Sequence, residues 1–311
     1  MRLLVHEYAS ARGAGLPPSI LAEGRAMRDA LCADLGRLAG VALRISASPA
    51  LPPPPCGEPV PPCAGEDDIA FLLRAAAGAD AVWLVAPETD GIALAHARAL
   101  AGAGIALLGC SVEAIALASS KSRLLARLAA AGLAVAPTWP LAAAPLALHP
   151  LWAVKPDRGC GCEGARRLSA AEVAALRRGE ASAGRIAQPW LAGEAMSLSL
   201  RVAGGDAELL SVNRQHIEVA ADGALSLRGL TRCVELPQRE RLAALARRIA
   251  AAVPGLRGFV GVDFMLGEDG GATLLELNPR PTLAYAGLSA RLGRNLAADL
   301  LADFAREACH A

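Results

Sequence analysis

Short apolar runs alternate with stretches of helical spacing through the first third of the chain. The apolar runs have the length of buried strands and cover residues 2–7, 41–45, 81–86 and 105–108. The stretches with helical spacing cover residues 19–38, 67–77 and 92–101. Strands that alternate with helices predict a parallel α/β sheet with helices on both faces. Residues 49–62 hold too many prolines for a regular element, so we expect a surface loop there.

The pattern changes after residue 110, where strands begin to follow one another directly. The predicted helices lie at 119–131, 240–253 and 294–308. The predicted strands lie near Val135 and at 151–155, 185–189, 196–202, 208–212, 258–266 and 273–277. Consecutive strands without helices between them favour antiparallel pairing. We therefore expect three units, at residues 1–110, 111–189 and 190–311.

Charge and composition exclude several classes of protein. The formal net charge of +1 gives no electrostatic footprint for nucleic acid. No run of about 20 apolar residues predicts a membrane span. The first residues do not suit a signal peptide, because Glu7 interrupts a short apolar run, so we expect a cytoplasmic protein. The 8 cysteines include no CxxC pair, which argues against a zinc or thiol site.

A lysine followed by a glycine-rich segment is the sharpest local signal. Lys155 ends an apolar run, and Gly159, Gly161 and Gly164 follow within a few residues. Glycines let backbone N–H groups turn inward around an anion, and a lysine adds a point charge that suits phosphate. A glycine-rich hairpin with a surface lysine explains the same segment, so alone it leaves both interpretations open.

Acidic and amide side chains interrupt two of the later predicted strands. Asp263 lies in the strand 258–266, and Glu276 and Asn278 lie at the end of the next strand. Glu276 and Asn278 are two residues apart, so they point to the same face of a strand. Acids are disfavoured in strands, and oxygen donors of this kind suit Mg²⁺. The three residues are the candidate metal ligands, although they could also be ordinary solvent-facing residues.

In their order along the chain, these segments resemble the ATP-grasp superfamily over about residues 121–280. The resemblance implies an ATP-grasp fold with an N-terminal parallel α/β domain (1–110), a small lid subdomain with the glycine-rich loop (111–189) and a C-terminal antiparallel-sheet subdomain (190–311). It also implies ATP as co-substrate and Mg²⁺ or Mn²⁺ as the metal. The family's first lysine usually follows an aspartate, whereas Lys121 follows Ser120.

The resemblance also assigns roles to individual residues. The nucleotide contacts it implies are Lys121, Lys155, Gly159, Gly161, Gly164, Gln188, Trp190, Leu191 and Glu194. The metal ligands it implies are Asp263, Glu276 and Asn278, and Arg280 would face the transferred phosphate or the acyl oxygen. Lys155, Arg280 and Arg214 are therefore the candidate catalytic residues, because permanently charged arginines suit a developing oxyanion.

Within the superfamily, the chain resembles the tyramine–glutamate ligases of methanofuran biosynthesis. The resemblance rests on four segments, at residues 5–8, 86–91, 161–164 and 211–215. It implies glutamate and an amine such as tyramine as substrates, in the one-carbon metabolism that uses methanofuran-type cofactors. Tyr8 and Tyr285 would then form an aromatic wall for the amine, and Glu7, Glu88 and Asp90 would be anions for an ammonium group. The glycines expected after Tyr8 are replaced by residues 9–12 here.

The implied chemistry is amide formation through an acyl phosphate, in which positioning and electrostatics supply most of the catalysis. Another ATP-grasp amino-acid or peptide ligase, or a catalytically silent nucleotide-binding protein, remains an alternative, and a homodimer is left open. A nicotinamide-dependent oxidoreductase is disfavoured. Gly13 and Gly15 are followed by residues 16–18, which supply no third glycine for a dinucleotide-binding turn.

Overall fold

The computed structural model describes residues 1–178 and 182–308 of the chain. Its first sheet is parallel and has the strand order β3-β2-β1-β4-β5. The strands are β1 (Arg2–Glu7), β2 (Ala42–Ser46), β3 (Glu58–Val60), β4 (Ala81–Val85) and β5 (Ala106–Leu107). The helices in this part are α1 (Tyr8–Arg12), α2 (Pro18–Leu35), α3 (Asp68–Ala76) and α4 (Ile92–Gly102). The predicted alternation of strand and helix is confirmed.

The prediction of a loop over residues 49–62 is wrong in one segment. Glu58–Val60 forms β3 and pairs in parallel with β2 at the edge of the sheet. Proline fits an edge strand because its missing N–H removes no hydrogen bond from the interior of the sheet. Pro59 is therefore compatible with a strand here.

Two short helices lead from the first sheet to the rest of the chain. They are α5 (Val112–Ala118), which the sequence pattern did not predict, and α6 (Lys121–Ala130). Ser120 separates them with extended backbone, and its hydroxyl accepts a hydrogen bond from the N–H of Arg123. A serine cap of this kind starts a helix, so Lys121 stands at the first turn of α6.

The second sheet is antiparallel and has the order β6-β9-β7-β8. Its strands are β6 (Trp139–Pro140), β7 (Leu151–Pro156), β8 (Arg166–Ser169) and β9 (Arg185–Pro189), and the helix α7 (Ala170–Arg177) packs on it. Trp152 is fully buried between this helix and the sheet. The strand predicted near Val135 is a single bridge to Leu274.

The third sheet is antiparallel and has the order β12-β11-β10-β13-β14. Its strands are β10 (Glu194–Ala203), β11 (Asp206–Val219), β12 (Leu225–Thr231), β13 (Gly258–Leu266) and β14 (Ala272–Asn278). One face packs on α5, α6 and α8 (Arg239–Ala252) through the largest apolar core. The opposite face carries polar side chains, including Ser197, Asn213 and Asp263.

The last helices, α9 (Leu288–Leu292) and α10 (Leu296–Ala308), return to the first part of the chain. Leu296 and Leu300 share a core with Leu31 and Trp83. Asp34 of α2 accepts hydrogen bonds from the hydroxyl of Tyr285 at 2.7 Å and of Ser289 at 2.5 Å. Among the described helices, none is long and apolar enough to cross a membrane.

Two histidines are buried between the first sheet and its helices. The Nδ1 atom of His6 lies 2.8 Å from the hydroxyl of Ser46, and its ring centroid lies 5.6 Å from that of His96. Phe71 of α3 packs edge-to-face against the His6 ring, and Tyr8 packs edge-to-face against the His96 ring. The hydroxyl of Tyr8 donates to Asp68. Within the described residues, no polar atom pairs with Nε2 of either ring. Burial, and then the neighbouring His96, lower the pKa of His6 to about 3.

Acidification is therefore expected to destabilise the protein. A folded-state pKa near 3, below an unfolded value of about 6.5, means that the unfolded chain binds the proton first. The contribution of His6 to the free energy of unfolding is nearly complete at pH 7 and falls as the pH drops toward 3, by about 2 kcal/mol between pH 7 and pH 5. The lowered pKa of His96 acts in the same direction.

Urea unfolding at pH 7 and pH 5 measures this effect. His6→Gln should reduce the loss of stability on acidification. His216→Gln, which removes an exposed ring on β11, should leave that loss unchanged. An equal loss in the wild type and in His6→Gln would contradict the assignment to His6.

Candidate active site

The three candidate metal ligands lie together on the polar face of the third sheet. Asp263 on β13 is directly opposite Glu276 on β14. Asn278 follows two residues later, and its Nδ2 donates to Oδ2 of Asp263 at 3.3 Å. The apolar neighbours Val262 and Phe264 point into the core on the other face. Strand alternation thus places the carboxylates on one surface, as the sequence predicted.

Two lysines from different parts of the chain converge on Glu276. The Nζ atom of Lys121, at the start of α6, lies 3.2 Å from Oε2 of Glu276. The Nζ atom of Lys155, near the end of β7, lies 3.9 Å from the same oxygen. Both lysine side chains are largely shielded from solvent, with 7% of Lys121 and 15% of Lys155 exposed. The site therefore has two cations facing two carboxylates with little solvent between them.

Burial and these close charges shift the pKa values of the two acids in opposite directions. Burial by itself raises the pKa of Glu276, but Lys121 and Lys155 outweigh it and hold the pKa at about 2. Burial and the charge of Glu276 raise the pKa of Asp263 well above its ordinary value. Burial also lowers the pKa of Lys155, with Lys121 adding to the effect. The two lysines thus favour the ionised form of Glu276.

The glycine-rich loop between β7 and β8 is held against the start of α6. The ammonium group of Lys121 donates a hydrogen bond to the carbonyl oxygen of Gly159. Asp157 accepts from the hydroxyl of Ser120 at 2.7 Å and from the N–H of Ser122 at 2.7 Å. The aspartate that the family pattern places before the first lysine is absent from that position, and here an aspartate of the loop contacts the start of the helix.

Cysteines in this loop lie beside the first sheet. The Sγ atom of Cys160 is 3.7 Å from the hydroxyl of Thr89. Burial raises the pKa of Cys160, and it raises the pKa of Cys162 to about 11. Thiols with raised pKa values stay protonated and are poor nucleophiles.

Two glycines of the same loop have backbone angles that favour glycine. Gly161 and Gly164 have φ values of +64° and +65°, which glycine adopts without strain.

The segment that joins β9 to β10 carries the other candidate nucleotide contacts. Gln188 is buried, and its Nε2 donates to the hydroxyl of Thr138 at 2.9 Å. Trp190 is half-buried, and the guanidinium of Arg167 lies 5.6 Å from its ring centroid. The neighbouring Leu191 is also half-buried. The side chain of Gln188 is therefore committed to the protein interior, whereas Trp190 and Leu191 remain accessible.

The two candidate arginines are placed differently. Arg214 donates from Nη2 to Oε2 of Glu194 at 3.0 Å, so it lies beside a candidate nucleotide contact. Arg280 is half-buried and donates from Nε and Nη2 to the two carboxylate oxygens of Glu88, at 3.0 and 2.9 Å. Although burial opposes it, Glu88 raises the pKa of Arg280. Glu88 follows β4, so this ion pair joins the first sheet to the end of the third.

Several polar residues near the site have partners other than those the sequence suggested. Glu88, considered as a substrate contact, instead holds Arg280. Glu7 is buried, and its carboxylate accepts from the N–H groups of Ala9 and Ser10, which caps α1. The one available signal for Glu88 was its place after a parallel strand, where ligands of open α/β sheets bind.

The prediction that two tyrosines form an aromatic wall for the amine is wrong. Tyr285 is 3% exposed and packs edge-to-face against Trp83 and Phe259, and its hydroxyl donates a hydrogen bond to Asp34. Tyr8 is 7% exposed and packs on His96. Rings that are buried in the core do not form a substrate surface.

Comparison with known families identifies this arrangement. The family described as the ATP-grasp domain matches residues 118–284, and the pre-ATP-grasp domain matches residues 41–115. The chain belongs to the ATP-grasp family. The predicted assignment to ATP-grasp, as a fold and as an enzyme family, is therefore confirmed.

Solved structures match almost the whole chain. An ATP-grasp superfamily protein from Archaeoglobus fulgidus is 23% identical with a TM-score of 0.73, and the match covers 97% of this chain and 88% of that one. D-alanine–D-alanine ligase from Bacillus anthracis is 14% identical with a TM-score of 0.70, covering 100% and 99%. L-amino acid ligase from Bacillus licheniformis is 16% identical with a TM-score of 0.60, covering 93% and 68%. At these identities the likeness shows the fold alone. No curated protein matches the chain.

Proposed function

We propose that this ATP-grasp protein is a magnesium- and ATP-dependent ligase that joins a carboxylic acid to an amine. The observation that carries the proposal is the convergence of Lys121 and Lys155 on Glu276, with Asp263 directly opposite. Two buried cations next to two acids suit a polyphosphate that binds together with its metal ion. The prediction that the protein binds ATP rests on this arrangement and on the family.

The donor set fits a hard divalent cation. Asp263, Glu276 and Asn278 supply carboxylate and amide oxygens from one face of two paired strands. Among the described residues there is no cluster of three His, Cys, Asp or Glu side chains, so Asn278 would complete the set. When bound, Mg²⁺ or Mn²⁺ would neutralise phosphate charge and act as a Lewis acid. The ion's charge would also stabilise Asp263 in its ionised form.

Residues around this face provide the other nucleotide contacts that we propose. Lys121 and Lys155 would bind phosphate oxygens, and the loop at Gly159, Gly161 and Gly164 would close over them. Because Gln188 is turned inward, the adenine would contact Trp190, Leu191 and the backbone beside Gln188. Glu194, which is exposed at the start of β10, would hold the ribose.

The reaction that follows has two steps. A substrate carboxylate oxygen attacks the γ-phosphorus of ATP and ADP leaves, which gives an acyl phosphate. The amine then attacks the acyl carbon, inorganic phosphate leaves and the amine nitrogen loses a proton. Lys155 would stabilise charge on the phosphoryl group, and the closed loop would exclude water from the acyl phosphate.

Arg280 is the cation that we assign to the acyl oxygen. Glu88 holds its guanidinium at the junction of the first and third sheets, and this fixed position suits a preorganised donor. Arg214 remains a second candidate for this role, on condition that it leaves Glu194 when substrate binds.

For the substrates we propose glutamate as the activated acid, through its side chain, and tyramine or a related amine. The support is the resemblance of four segments to the tyramine–glutamate ligases, including residues 86–91, which carry Glu88, and 211–215, which carry Arg214. The product would be a γ-glutamyl amide of the kind used in methanofuran-type cofactors.

Phosphate release measures this proposal directly. With Mg·ATP and glutamate, adding tyramine is expected to raise phosphate release at least about 10-fold over alanine or aspartate controls, because a site matched to one acid rejects analogues with misplaced carboxylates. Mass spectrometry should then show a γ-glutamyl amide. Activation of alanine but not glutamate would overturn the substrate assignment and leave the ligase assignment in place.

One observation favours a second candidate, an ATP-grasp ligase for two amino acids. Neither Tyr8 nor Tyr285 offers a ring surface to an aromatic amine. A non-aromatic amino acid needs no such wall. The same assay distinguishes the two, with single amino acids replacing tyramine as the amine.

A further inference from the structure

Gln215 lies on the same face of the third sheet as the candidate metal ligands. Ser197 of β10 pairs with Asn213 of β11 on one side and with Asp263 of β13 on the other. Gln215 is two residues beyond Asn213, so it points to the same face. The strand between Gln215 and Asp263 carries the small side chains of Ala195 and Ser197 on that face, which leaves space for a long side chain to cross it.

The side chain of Gln215 uses that space to reach Asp263. Its Nε2 donates to Oδ1 of Asp263 at 3.0 Å. The other carboxylate oxygen, Oδ2, accepts from Nδ2 of Asn278 at 3.3 Å. An amide N–H therefore contacts each oxygen, and together the two hydrogen bonds fix the plane of the carboxylate. One lone-pair direction on each oxygen remains for another partner.

The backbone is irregular beside Asp263. The pairing of β13 with β14 shifts register between Asp263 and Phe264, which indicates a bulge beside the carboxylate. Bulges redirect side chains near active sites and interrupt the regular hydrogen-bond ladder. Asp263 also lies directly opposite Glu276. Without Gln215, only the hydrogen bond from Asn278 would hold the carboxylate of Asp263 in this plane.

We propose that Gln215 is a positioning residue that holds Asp263 in the orientation required to bind the divalent cation. The proposal rests on the metal site of the proposed function. In the proposed function, Gln215 contacts neither the nucleotide nor the substrate, so it would act only through Asp263. Hydrogen-bond partners of metal-ligating residues commonly contribute about 10- to 100-fold to metal affinity.

Mn²⁺ binding in the presence of ADP, followed by electron paramagnetic resonance, tests the proposal on the full chain. Gln215→Leu is expected to raise the Kd for Mn²⁺ about 10- to 100-fold. Gln238→Leu is the control, because it removes a glutamine side chain from the N-terminal cap of α8. The Kd of this variant for Mn²⁺ should equal that of the wild type. Gln215→Asn keeps the amide on a shorter side chain that does not reach Asp263, so it should weaken binding similarly even if Gln215→Leu fails to fold.

ADP binding measured in EDTA separates positioning from a general structural role. The Gln215 variants should bind ADP without metal as the wild type does. An equal loss of ADP affinity without metal would overturn the proposal. Unchanged Mn²⁺ affinity in both variants would overturn it and leave the metal site intact. If the wild type binds no Mn²⁺ with ADP, both this proposal and the metal-dependent function are wrong.

Discussion

Glu276→Gln is expected to lower kcat/KM by at least about 10³-fold. The substitution removes one proposed metal ligand and the negative charge on which Lys121 and Lys155 converge. Loss of several kcal/mol of metal and positioning energy corresponds to about three orders of magnitude in rate, since each factor of ten is about 1.4 kcal/mol. Steady-state phosphate release at saturating Mg²⁺ measures this loss.

The same substitution should also destabilise the ligand-free protein. Two buried ammonium groups lose their nearest carboxylate, and an uncompensated buried charge is costly. Glutamine retains a carbonyl acceptor, so we expect a loss of about 1–3 kcal/mol in the free energy of unfolding. Glu268→Gln, in the exposed turn between β13 and β14, should change neither activity nor stability. Near-wild-type activity in both Glu276→Gln and Asp263→Asn would show that the metal binds elsewhere.

Lys155→Met is expected to lower kcat about 10²- to 10³-fold, the size of effect seen when one preorganised donor to a developing charge is removed. The lysine is a point charge next to the proposed phosphates, and methionine keeps the chain length without the charge. Stability should change by less than about 1 kcal/mol, because burial already disfavours the charged form of this lysine.

A second variant at position 155 separates the effect of the positive charge on activity from the effect of the shape of the side chain. Lys155→Arg keeps the charge but replaces a compact ammonium with a planar fork, so it should recover part of the activity of the wild type. Circular dichroism should confirm that both variants are folded before activity is compared. Turnover by Lys155→Met at the wild-type rate would remove Lys155 from the proposed phosphate site.

Local sequence pattern accounts for most of the fold. Alternating apolar runs and helical stretches predicted the parallel sheet of the first part, and consecutive strands predicted the antiparallel sheets. Elements that carry few apolar residues were missed, such as β3 (Glu58–Val60), which contains a proline, and β8 (Arg166–Ser169), which has two arginines. Such strands form because a neighbouring edge offers backbone partners, and that information is not local to their sequence.

Local sequence pattern already gives the chemical groups that are available and the face of each strand on which they lie. Strand alternation set Glu276 and Asn278 on one side, and Lys155 was recognisable by the glycines that follow it. Tertiary structure decided the pairings, because each joins residues that are far apart in the chain. Lys121 meets Glu276, Glu88 holds Arg280 and Gln215 reaches Asp263 only where sheets and helices from different parts of the chain pack together. Hydrogen bonds and charge pairs act over a few ångströms, so periodicity along the sequence does not specify which partners come within that range.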